Sequence, residues 1–154
     1  MDFFLPQSFF LWCQTTMFAD WLNSSVWALR IVDSAHTVGL LVIVLAIVAV
    51  DLRLLGLVRQ QQSISDFARQ MSPSICLSIV VVCVTGIAQF MPEAVASGHS
   101  RWFLFKTVLF AVAVATYLVA IRKATATAEL TSVRHRKLAA YVSLICWLGV
   151  AIAG

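Results

Sequence analysis

Two ionisable side chains, Asp33 and His36, stand three residues apart inside one apolar stretch, and a third, Lys106, stands inside another. Ionisable groups at membrane depth are costly, so each calls for a partner or a function. On a helix Asp33 and His36 share a face. A neutral imidazole is a good axial ligand for haem iron, and a neighbouring carboxylate could orient or charge the ring. His36 lies 15 residues before Asp51, and Lys106 lies 16 residues before Arg122. At about 1.5 Å per helical residue, both stand roughly 22–24 Å from that polar edge. Gly86, 14 residues beyond Ser72, falls at the same level, flanked by Thr85 and Gln89. The count predicts one polar layer drawn from three helices, with Gly86 leaving room for something large to approach.

Each residue also has a simpler reading. Lys106 and Arg101 can snorkel to headgroups. Asp33 can pair with Arg30, and His36 can be a hydrogen-bonded histidine inside a bundle. His36 is the one histidine within an apolar run, since His99 and His135 fall in connecting segments. A haem at His36 would take Lys106 as second ligand, take a symmetry-related His36, or stay five-coordinate. Arg101 could meet a propionate. Trp102, Phe103 and Trp147 could pack on the macrocycle or face lipid. The cysteines Cys13, Cys76, Cys83 and Cys146 form no CxxC pair and read as apolar packing residues.

The elements that must position these residues follow from composition. Of 154 residues, 61% are hydrophobic and 12% charged, and mean hydropathy is +0.92. An ordinary soluble domain carries about 25% charge. This composition excludes a soluble enzyme, a nucleic-acid-binding module and a disordered tail. A spanning helix needs about 20 mostly apolar residues. The expected fold is all-α: a polytopic membrane protein with a four-helix transmembrane bundle over residues 25–154. The spans are expected near 26–54, 73–91, 102–121 and 138–154. Ser72-Pro73 suits the start of the second, because proline is tolerated in a first helical turn. Residues 1–24 interleave aromatic and polar side chains and read as an amphipathic helix lying in the interface.

The net charge of +4 comes from basic residues between the apolar runs. The links at 55–72 and 122–137 collect most of them. By the positive-inside rule both links face the cytoplasm, and both termini face the periplasm of a bacterial inner membrane. Without a basic segment before Arg30, no cleaved signal peptide is expected.

His36-Thr-Val-Gly39, with Asp33 three residues earlier and Asp51-Leu-Arg-Leu-Leu-Gly56-Leu57 following, resembles an uncharacterised bacterial family of four-span membrane proteins. In that family an acidic residue, usually Glu, precedes the histidine by three. Thr85-Gly86 resembles its TG pair, Phe105-Lys106 its aromatic-x-x-Lys region, and Ser143 to Gly154 its closing small-residue pattern. In layout the chain is also similar to HemJ-type protoporphyrinogen oxidases and CopD-like copper-resistance proteins. The former bind b-type haem and pair an early histidine with a later lysine. Carried over, that likeness points to His36 and Lys106.

The leading expectation is therefore a b-type haem protein passing electrons near the outer face, with quinol or a membrane redox complex as partner. The cofactor-binding residues would be His36, Lys106, Gly86, Arg101 and Asp33. One rival is a non-catalytic accessory or assembly subunit, in which Ala111, Ala115 and Gly149 serve helix packing. Another is a small transporter or proton pathway reaching Asp33 and His36. A homo-oligomer or larger complex fits all three.

Overall fold

The structure, a computed structural model, describes residues 6–58, 61, 63–126 and 133–153. Among these residues every regular element is helical: α1 (Gln7–Gln14), α2 (Met17–Ser24), α3 (Val26–Leu54), α4 (Ile64–Phe90), a 3₁₀ turn (Met91–Glu93), α5 (Ala94–Gly98), α6 (Arg101–Ala126) and α7 (Val133–Ala153). Residues 1–5 of the N-terminal segment, Arg59, Gln60 and Gln62 of the first link, 127–132 of the basic link and Gly154 lie outside the description.

Local chemistry explains where the helices start and stop. Ser25 caps α3, accepting from the Ala28 N–H at 3.3 Å. At the other end Gly56 adopts φ +81°, open to glycine at little cost. The Leu57 N–H then reaches the Leu52 carbonyl (3.0 Å) and the Gly56 N–H reaches that of Arg53 (3.1 Å), a Schellman closure. The glycine of the DLRLLGL stretch is thus a helix stop.

Two expectations about boundaries are corrected. α4 begins at Ile64, not at Ser72-Pro73, and Pro73 lies in its interior. Ser63 accepts from the Asp66 N–H at 3.0 Å, and this cap starts the helix two turns before the apolar run. The N-terminal segment is two helices, not one. Thr16 breaks them apart by capping α2, accepting from the Ala19 N–H at 3.3 Å. Much of the basic link is also helical, as the end of α6 and the start of α7.

The four long helices pack around one apolar core. α3 lies against α4 and α7, while α6 packs on α7 and more lightly on α4. Ile43 and Ile47 of α3, Ile75 of α4, Ala113 and Tyr117 of α6, and Trp147 and Val150 of α7 form the centre. A second cluster joins Phe10 and Cys13 of α1 to Ala94 of α5. It fastens the N-terminal helices to the α4–α6 connection, so both sit at one end of the bundle. The outer faces are apolar too: Leu41, Leu45, Leu77, Ile87 and Ile145 are all exposed. Among the described residues, three helical stretches, Val26–Leu54, Ser65–Gly98 and Arg101–Val119, are long and apolar enough to cross a membrane; Ala140–Ile152 is a shorter apolar helix.

Candidate functional site

α3 and α4 come close together because small residues face the contact. A Cβ on Gly39 would stand 3.0 Å from Val82 Cγ2, and one on Gly86 would stand 3.3 Å from His36 Cε1. The large group that Gly86 admits is therefore the His36 ring itself.

That ring is half-buried and tied to α4. His36 Nδ1 and Thr85 Oγ1 are 2.9 Å apart. Thr85 donates its hydroxyl proton to the Val81 carbonyl at 2.6 Å. A hydroxyl has one proton to give, so Oγ1 accepts from His36 and Nδ1 carries the ring hydrogen. In the neutral imidazole Nε2 is then the bare nitrogen, with its lone pair available. Backbone geometry on α4 thus sets the tautomer of a side chain on α3.

Asp33 does not perform the orienting role expected from its spacing. Its Oδ1 accepts from Gln89 Nε2 at 3.2 Å, so it is held by α4 rather than by Arg30. The charges of Asp33 and of Lys106 both act on the His36 ring, and Lys106 is half-buried on α6. Five residues from three helices thus share one neighbourhood: Asp33 and His36, Thr85 and Gln89, and Lys106. The ring-orienting role of Thr85 was missed in the sequence. Its signal was a threonine four residues after Val81, free to bond back along its own helix.

An aromatic layer lies next to this group. Phe90, beside Gln89, stacks on Phe103 with centroids 5.1 Å apart, and Phe10 meets Phe90 edge-on at 6.3 Å. Phe103 precedes Lys106 by almost one turn. Other candidates stand elsewhere. Trp147 is fully buried in the core, with its ring edge-on to Phe110 at 6.1 Å, so it neither faces lipid nor borders His36. Trp102 is exposed and stacks on Phe105. Arg101, the first residue of α6, is exposed, as are Ala111 and Ala115, while Ala113 is the alanine that packs. Gly149 does pack, against Leu109.

The four cysteines are free, and Cys76 and Cys83 face outward. Among the described residues no group of three or more His, Cys, Asp or Glu is placed to hold a metal ion. The donor chemistry at His36 is of another kind, a single oriented imidazole with one unprotonated nitrogen. A haem needs few donors from the protein, and His36 could supply one. A shallow apolar groove of about 360 Å³ runs between α3 and α4 along Ala35, Val38, Gly39 and Val42, and His36 does not line it. No protein-family model, curated protein or solved structure matches the chain.

Proposed function

We propose that the chain is a four-span membrane protein carrying a b-type haem near one face of the bilayer. The single observation that carries this reading is the Thr85-held Nδ1–H of His36, which leaves Nε2 bare. Metal-ligating histidines are generally held in this way through the second nitrogen. His36 would be the axial ligand, and Lys106 the second ligand or a propionate partner; a symmetry-related His36 is the other second ligand. Gly86 lets the ring sit flush on α4, Asp33 adds negative charge beside it, and Arg101 would meet a propionate. A bound haem supplies one-electron chemistry, and quinol or a membrane redox complex would be the partner. The looser likeness in layout to HemJ-type proteins points the same way, while the resemblance to the uncharacterised four-span family bears on the four-span fold alone.

The membrane reading rests on the apolar outer faces and on helix length. Lipid tails would cover Leu41, Leu45, Leu77, Ile87 and Ile145. The links after α3 and after α6 carry the basic residues. They would face the cytoplasm, leaving α1, α2 and the α4–α6 connection on the periplasmic side of a bacterial inner membrane.

One observation favours a second reading, an accessory subunit of a larger complex. His36 is already packed on Gly86 and hydrogen-bonded to Thr85, as a purely structural histidine would be. A visible spectrum of purified protein, oxidised and dithionite-reduced, separates the two. The haem reading expects a reduced b-type spectrum lost in His36→Ala and altered in Lys106→Ala. Folded protein expressed with ample haem and showing no Soret band would reject it, and co-purifying membrane partners would then be sought.

A further inference from the structure

The end of the bundle opposite His36 holds a second polar group. Asp51 of α3 is only 3% exposed. The Ser143 hydroxyl on α7 bonds to its carboxyl, while Oδ2 has no protein partner. Tyr117 of α6 is 5% exposed, and its hydroxyl faces Ser72 of α4. Each of the four long helices thus supplies one polar side chain: Asp51, Ser72, Tyr117 and Ser143. Asp51 comes one turn after Ile47, Tyr117 one turn after Ala113, Ser72 just before Ile75, and Ser143 one turn before Trp147. All four therefore stand on the link side of the same apolar core. The Trp147 indole Nε1–H, wholly buried there, is likewise without a protein acceptor.

An isolated carboxylate in such surroundings is far costlier than a neutral carboxyl group. Among the described charged residues at this end, Asp66 and Arg69 on α4 and Lys137 on α7 are exposed, and Arg53 is buried two residues further along α3. Buried polar atoms lacking a protein partner are the usual holders of internal water, which makes about three hydrogen bonds. The geometry points to a buried water-and-proton site in this tier, with the Asp51 carboxyl as the group that binds and releases the proton. The proton comes from water and returns to it, so no other reactant is needed. This site is independent of haem at His36.

Infrared spectroscopy of the full-length protein in phospholipid vesicles tests it. The expected result is a protonated-carboxyl C=O band that shifts down in D₂O and fades as the pH is raised into the alkaline range. The band is absent in Asp51→Asn and unmoved in Asp33→Asn. Ser143→Ala, a milder change, shifts its frequency and serves if Asp51→Asn fails to fold. A band that persists in Asp51→Asn, or is unaffected by Ser143→Ala, overturns the proposal, as does an Asp51 that is ionised throughout.

Discussion

His36 and Thr85 lie 49 residues apart in sequence and meet at 2.9 Å across the α3–α4 contact. The threonine spends its proton on its own helix, at the Val81 carbonyl. Its oxygen is thereby an acceptor only, and the imidazole must present Nδ1–H to it. Thr85→Val keeps the shape and removes the acceptor. Losing that hydroxyl acceptor costs about 1–3 kcal/mol, and only the Val82 backbone still bonds to the ring. The ring is then held less firmly in one tautomer. Nitrogen-15 NMR of the haem-free protein, labelled at histidine, should show an unprotonated Nε2 in the parent and a tautomer mixture in Thr85→Val. Under the haem reading the same substitution also moves the midpoint potential, because the ligand loses the hydrogen bond that raises its basicity.

Gly86 is the seat of that ring. A Cβ there would stand 3.3 Å from His36 Cε1 and 3.8 Å from Nδ1. Gly86→Ala asks the ring to give by a few tenths of an ångström and should be tolerated with a small loss of stability. Gly86→Leu has no such remedy. It should push the ring off Thr85, at a cost of about 1–3 kcal/mol from overpacking. Thermal unfolding in detergent reads the loss, and the histidine nitrogen spectrum reads the broken hydrogen bond. A Leu variant retaining the parent spectrum would show that the ring rests elsewhere.

The level at which His36 and Gly86 meet was legible by counting residues from polar helix ends, because rise per residue is constant. The ends of α3 were legible for a similar reason: Ser25 and Gly56 carry local cap chemistry. α4 was read two turns short. The change in hydropathy at Pro73 hides the Ser63–Asp66 cap, and a helix starts at its cap rather than where it becomes apolar. The inward face of α7 was not legible. Its residues are apolar all round, so nothing in their pattern marks Trp147 as core and Ile145 as surface. The break at Thr16 was not legible from hydropathy, because a threonine cap ends one helix and starts the next without interrupting the alternation of aromatic and polar residues.

The N-terminal helices are held by one close contact. A Cβ on Gly98 would lie 2.5–2.8 Å from three atoms of the Phe10 ring. Phe10 cannot yield easily, since Phe90 and His99 flank it. Gly98→Ala should therefore loosen α1 from α5 at a cost of about 1–3 kcal/mol. Hydrogen exchange should accelerate across residues 7–24 and remain slow in α3. Phe10→Ala combined with Gly98→Ala should cost less than the sum of the two single changes, because the smaller residue removes the clash. Additive costs would mean that the two positions are not in contact.

Trp147 is the largest side chain with no exposed surface, and it joins α7 to Ile43 and Ile47 on α3 and to Ala113 and Tyr117 on α6. Trp147→Ala should cost about 3–5 kcal/mol, through lost contacts and the cavity left behind. A lipid-facing tryptophan would cost far less, since acyl chains would fill the space its truncation opens. Trp147→Phe separates packing from polarity, because it keeps most of the apolar volume and removes the buried Nε1–H that lacks a protein acceptor. Its cost should be well below that of Trp147→Ala. Unfolding of both variants in the same detergent gives the comparison. A Trp147→Ala protein as stable as its parent would place this ring on the outer surface and reject the packing of α7 described above.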